Sequence, residues 1–197
     1  MSTKVITGKV RGSYVNLMQP RQNEMNSQKE YSLQVLVPKS DEATVSALKA
    51  AAKKAIADKW PTPPKGLRNP LRDGDTETKQ DGSPLGPEYA GCYFFNAKCA
   101  ADKHKPTVID KMGNELFEHD AVKSGDFFRV SVNAYAYDRS GNRGVSFGLN
   151  NVQLVERGES LGSVRATAHE EFGVQQGTRA PAAEVATADA GADDDWA

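Results

Sequence analysis

Apolar and polar residues alternate over Lys4 to Met18, "KVITGKVRGSYVNLM". Val, Ile, Thr and Tyr favour a strand there, while Gly8 and Gly12 invite curvature or a bulge. The phase slips along the run. Ile6 and Val10 share one face but Val15 and Leu17 have the opposite parity, which puts the break near Gly12. A second alternating run, "EYSLQVLVPK", sets Tyr31, Leu33, Val35 and Val37 against Ser32 and Gln34, and Pro38 ends it. The period then becomes helical in "SDEATVSALKAAAKKAIADKW", with Ser40 or Asp41 as cap and Val45, Leu48, Ala52 and Ile56 as apolar stripe. Asp41 and Glu42 sit at its positive end, and Lys53, Lys54 and Lys59 lie toward its negative end. Residues 61–87 are rich in Pro and Gly and lack a period; a loop this long is usually functional or disordered. Three more strands follow: "GCYFFNAKCA" (91–100), "GDFFRVSVNAYAYD" (125–138) and "RGVSFGLNNVQLVE" (143–156). "DRSGNRG" joins the last two as a tight hairpin with Gly141-Asn142 at positive φ.

A mainly β chain with one main helix and a long, curved first strand suggests a five-stranded closed barrel of the OB type. Residues 1–167 would form it, with residues 60–90 as a long loop insertion. The helix falls between the second and third strands, whereas the usual OB order places it between the third and fourth. Residues 168–197 are of low complexity and read as a flexible acidic C-terminal tail.

Charge sharpens that division. Residues 1–167 hold 24 Lys and Arg against 19 Asp and Glu, and residues 168–197 hold seven acids and one base, Arg179. A basic body with an acidic tail suits a nucleic-acid binder better than a metabolic enzyme. Cys92 and Cys99 have opposite strand parity, which argues against a disulfide or a zinc site, and no cofactor is expected. No stretch resembles a signal peptide or a membrane span, so a cytoplasmic setting is expected.

The candidate chemistry lies on the strand from Phe127 to Tyr137. One parity, Phe128 to Ala136, is wholly apolar; the other carries Phe127, Arg129, Ser131, Asn133, Tyr135 and Tyr137. Rings on a sheet are platforms for unpaired bases, worth about 1–3 kcal/mol per base, and Arg meets phosphate. The alternative is that the long loop covers Tyr135 and Tyr137. Phe94, Asn96 and Lys98 repeat the aromatic, amide and cation set, and Lys9, Arg11, Arg68, Arg72 and Arg143 add positive charge. Enzymatic readings fail on context. "GVSFG" matches a nucleophile elbow, but Ser146 lies within a strand-like run, and His169 is the only histidine after it. Asp73, Asp75 and Glu77 begin like a calcium loop that then lacks its glycine and its closing glutamate.

The runs "TGKVRGSYVNLMQPR", "YSLQVLVPKSD", "NPLRDGD", "YAGCYFFNAK", "GDFFRVSVNAYAYDRSGNRGVSFGLNNVQLV" and "GESLG" resemble a family of tailed-bacteriophage single-stranded DNA-binding proteins, over roughly Thr7 to Phe172. The resemblance implies an OB-fold and non-enzymatic coating of single strands during replication or recombination in the infected host's cytoplasm. It also implies an acidic tail that competes with DNA and recruits phage or host replication and recombination proteins. Self-association on DNA is a further possibility. Asp193, Asp194, Asp195 and Trp196 are the candidate docking tip, although Trp196 is penultimate and an earlier cluster, "HEEF" (169–172), offers a second one. The rival reading is a phage structural or assembly β-domain without nucleic-acid activity.

Overall fold

The computed structural model describes residues 2–23, 27–139 and 141–161. Its strands are β1 (Lys4–Ile6), β2 (Val10–Gln22), β3 (Lys29–Pro38), β4 (Arg72–Asp73), β5 (Cys92–Ala100), β6 (Val108–Ile109), β7 (Phe127–Arg139) and β8 (Asn142–Glu156). The helix α1 spans Glu42–Lys59, and a 3-10 turn covers Pro87–Tyr89. β2 pairs antiparallel with β3 and β7, β3 with β5, and β7 with β8, while β5 runs parallel to β8. These pairings close a ring of five strands, as the sequence led us to expect. Alternation fills it: Val10, Leu33, Val35, Val37, Phe95, Phe128, Val130, Val132, Phe147 and Leu149 all point into one core. α1 lays Val45, Leu48, Ala51 and Ala55 against the same core. Asp41 caps it by accepting from the Thr44 N–H at 3.1 Å.

The opening run is two strands rather than one. β1 pairs with Ser131–Asn133 of β7, on the edge that β2 takes up at Phe127 and Phe128, and the chain breaks at Thr7–Lys9 between them. The cause is the helix N-terminus. The Gly8 N–H donates to Thr44 Oγ1 at 2.9 Å, and a Cβ on Gly8 would stand 2.5 Å from Asp41 Oδ2. The phase slip has its own device two residues beyond Gly12. The pairing of β2 with β3 shifts register between Ser13 and Asn16, where Tyr14 takes φ 48°. That bulge lets Val10 and Leu17 both face inward despite opposite parity.

The 60–90 insertion is part of the sheet. β5 and β8 pair only at Ala97–Phe147 and Lys98–Gly148. Where they diverge, the insertion enters: Arg72 pairs with Phe94 on β5, and Arg68 bridges to Gly144 on β8. Lys39 clamps its middle, reaching Asp73 at 2.6 Å and Asp75 at 2.7 Å, and Asp75 also accepts the Gly91 N–H. A second small core of Leu36, Tyr89 and Phe94 lies on the outer side of β3 and β5, with Leu85 and Leu161 packed on it. The residue 168–197 tail lies outside the described residues.

Candidate nucleic-acid interface

On β7 the inward residues Phe128, Val130, Val132 and Ala134 are buried, so Arg129, Asn133 and Tyr135 are carried to the outside. Tyr135 stands opposite Ser146, and Tyr137 opposite Gly144. A Cβ on Gly148 would lie 3.6 Å from Tyr135 Cε1, and one on Gly144 would lie 3.0 Å from the Tyr137 hydroxyl and 2.9 Å from Arg68 Cβ. The outward stripe of β8 is therefore a bare floor that two tyrosines cover. The G-x-S-x-G spacing that imitates a nucleophile elbow is this stripe. Tyr135 remains 45% exposed, while Tyr137 is half-buried beside Arg68. The insertion covers one ring in part and leaves the other open.

Across β5 and β3 the surface becomes polar. Lys98 is next to Gly148 in the parallel pairing and forms an ion pair with Glu30 at 3.3 Å. Gln34 Nε2 donates to Asn96 Oδ1 at 3.0 Å, and the Tyr89 hydroxyl donates to Gln34 Oε1. Burial pushes the Tyr89 phenol above its ordinary pKa, so it stays a donor at neutral pH. Phe94 has the expected outward parity yet is only 2% exposed. Tyr89 meets it edge-on at 5.1 Å, and the Arg72 guanidinium lies over its ring at 4.3 Å. Phe94 is the floor beneath Arg72, not an open platform.

Other candidates lie elsewhere or are already engaged. Phe127 starts β7, eight residues before Tyr135 and so about 26 Å from it along the strand. Lys9 and Arg11 approach the Phe127 ring at 4.6 and 5.7 Å. Lys9 also pairs with Glu156, which holds that carboxyl below its ordinary range, and Arg11 donates to the carbonyls of Gly125 and Glu159. This group fastens residues 156–161 to the ring. Buried Asp126 completes the fastening, accepting from Gly158 N–H and Arg157. Arg129 is exposed between the two ends, and Arg143 pairs with Asp138 at 2.8 Å. Asp193, Asp194, Asp195 and Trp196 lie outside the described residues.

One contiguous face thus brings together Arg68, Arg72, Lys98, Tyr135 and Tyr137, with Gln34, Asn96 and Tyr89 between them. Asn96 belongs to the Phe94, Asn96 and Lys98 set that the sequence offered, whereas Gln34 and Tyr89 were not among the sequence candidates. Gln34 and Asn96 share the outward parity of their strands, a signal the sequence does contain; Tyr89 reaches the face through a loop, which no periodicity marks. Cys92 and Cys99 are free thiols, both raised in pKa by burial. Among the described residues no cluster of His, Cys, Asp or Glu is placed to hold a metal ion, and no helix is long and apolar enough to cross a membrane.

A closed five-stranded ring whose outer face offers rings, amides and guanidinium groups has the build of an OB-type protein for single-stranded nucleic acid. The family described as "Enterobacter phage Enc34, ssDNA-binding protein" matches residues 3–183, and the chain belongs to that family. It is 30% identical over 182 residues to protein p50 of Acyrthosiphon pisum secondary endosymbiont phage 1, covering 86% of this chain and 92% of p50. The single-stranded DNA-binding protein of bacteriophage Enc34, solved with ssDNA, shares the fold: the TM-score is 0.70 at 18% identity, over 81% of this chain and 90% of that one. The fold extends to gp2.5, a single-stranded DNA-binding protein encoded by bacteriophage T7, with a TM-score of 0.55 at 17% identity, over 83% of this chain and 97% of that one.

Proposed function

We propose that this chain coats single-stranded DNA without strong sequence preference during phage replication or recombination, in the cytoplasm of the infected host and without enzymatic activity. The observation that carries this reading is the exposed Tyr135 ring over Gly148, flanked by Lys98 and by the Arg68 and Arg72 of the insertion. Tyr135 and Tyr137 stack bases. Lys98, Arg68 and Arg72 meet phosphates, the last by swinging off Phe94. The amide row of Gln34 and Asn96 bonds base edges of any kind, because a carboxamide both donates and accepts.

Lys9, Arg11, Arg129 and Arg143 extend the positive surface along β7 and its hairpin, with the Phe127 ring lying against Lys9 and Arg11 at its far end. The acidic tail competes for the same cations and, once displaced, offers Asp193 to Trp196 to a replication or recombination protein. Its support is the charge division of the sequence.

The test is a titration of fluorescent oligo-dT at several salt concentrations. Counterion release predicts a linear fall of log affinity with log salt, with a slope of roughly 0.7 per phosphate contact. Absence of binding, together with self-association free of DNA, would favour the structural or assembly protein.

A further inference from the structure

Tyr14 is the one non-glycine residue with positive φ among the described residues of the ring strands. It takes φ 48°, a conformation costly for a bulky L-residue, yet its side chain is 67% exposed. Packing therefore does not explain the residue type, and glycine would adopt that backbone freely. The bulge is held from outside the side chain: Ser124 Oγ accepts the Val15 N–H at 3.1 Å, and Asn16 Nδ2 donates to the Tyr14 carbonyl at 3.0 Å.

The bulge also determines where the ring goes. Even-numbered Val10 and Gly12 face the core, and an unbroken strand would send Tyr14 there too. Instead it emerges next to Ser13, whose register partner is Gln34, and Gln34 accepts from Tyr89 and donates to Asn96. The Tyr14 phenol bears on Tyr89 as well, adding to the effect of burial on its pKa. The amide row is thus bounded by Tyr135 on β7, lying over β8, and by Tyr14 on β2. From β8 through β5 and β3 to β2 is three strand spacings, about 14 Å.

We propose that Tyr14 is a second stacking platform for single-stranded DNA, turned out of the barrel by a strained bulge so that bases cross the Gln34–Asn96 row between Tyr14 and Tyr135. This rests on the single-strand-binding reading above and adds a residue on the first ring strand to it. The strain separates binding from stability.

The experiment compares the full-length protein with Tyr14→Gly, Tyr14→Trp and Tyr135→Ala, measuring oligo-dT affinity and thermal midpoint. Tyr14→Gly is expected to bind about fivefold or more weakly, as the loss of one stacked base predicts. Its midpoint should hold or rise by about 2–4 °C, because the backbone strain is relieved. Tyr14→Trp should bind within about threefold of the parent, since an indole stacks at least as well. Parent-like affinity of Tyr14→Gly, with binding still lost in Tyr135→Ala, overturns the role of Tyr14 and leaves the wider reading intact. Failure of the unaltered protein to bind oligo-dT overturns both.

Discussion

Two aromatic residues on one strand parity have opposite fates, and a single substitution at each tells them apart. Tyr135 lies over a glycine floor with nearly half its surface open. Tyr135→Ala should weaken oligo-dT binding by about five- to hundredfold while leaving the thermal midpoint within a degree or two. Phe127 is half-buried between Lys9, Arg11 and Gly158 and helps fasten residues 156–161. Phe127→Ala should lower stability by about 1–3 kcal/mol, less than a fully buried ring would, with a small effect on affinity. Chemical denaturation alongside fluorescence titration separates the two outcomes. Gly12 makes the residue-scale point from the core side: a Cβ there would stand 2.5 Å from the Phe128 ring, so Gly12→Ala should cost about 1–3 kcal/mol by overpacking.

At the scale of elements, the long insertion shows how far the sequence could be read and where it stopped. Strand parity located the ring, the helix and the outward face of β7, because alternation and 3.6-residue periodicity are local properties. Nothing local says that Arg68 bridges to Gly144 or that Arg72 covers Phe94. Those contacts depend on where β5 and β8 part, a property of the closed ring. Phe94 was therefore legible as outward but not as covered. Similarly, the split of the first strand came from the α1 N-terminus meeting Gly8, a contact 36 residues long-range in sequence.

The insertion's clamp carries a pH prediction. Hydrogen bonds and charge from Lys39 hold Asp73 and Asp75 below the ordinary 3.8, and the two carboxylates hold Lys39 above its ordinary 10.5. Lowered carboxylate values mean stabilisation present above about pH 4 and lost as pH falls through the lowered values. The raised lysine means stabilisation present below pH 10.5 and lost only above it. Protease cleavage within residues 61–87 should thus stay slow across the neutral range and accelerate only as pH falls below 3.8, ahead of loss of the ring's circular dichroism. Lys39→Ala should cleave quickly at neutral pH and lose most of that acid dependence. Equal cleavage rates for the wild type and Lys39→Ala at neutral pH would show that the clamp does not hold the insertion.

The whole molecule poses a problem of opposed charge, since a basic ring and an acidic tail share one chain with a net charge of -1. On the proposed function, DNA phosphates and tail carboxylates are chemically alike to Lys98, Arg68 and Arg72 and would compete for them. A tethered competitor acts at an effective concentration set by its tether, in the millimolar range for short flexible linkers. Leu161, the last described residue, packs on Leu36, Tyr89 and Phe94. Truncation after Phe172 removes five acids and Arg179. The shortened protein should bind oligo-dT more tightly at 50 mM salt, and the advantage should shrink by 300 mM, because screening weakens the tail's hold on the site as the Debye length falls below about 10 Å. The salt slope should also steepen on truncation, since DNA then displaces mobile counterions rather than a covalently attached set. Equal affinities and slopes at every salt concentration would leave the ring as the whole binding machine and confine the distal acids and Trp196 to contacts with other proteins.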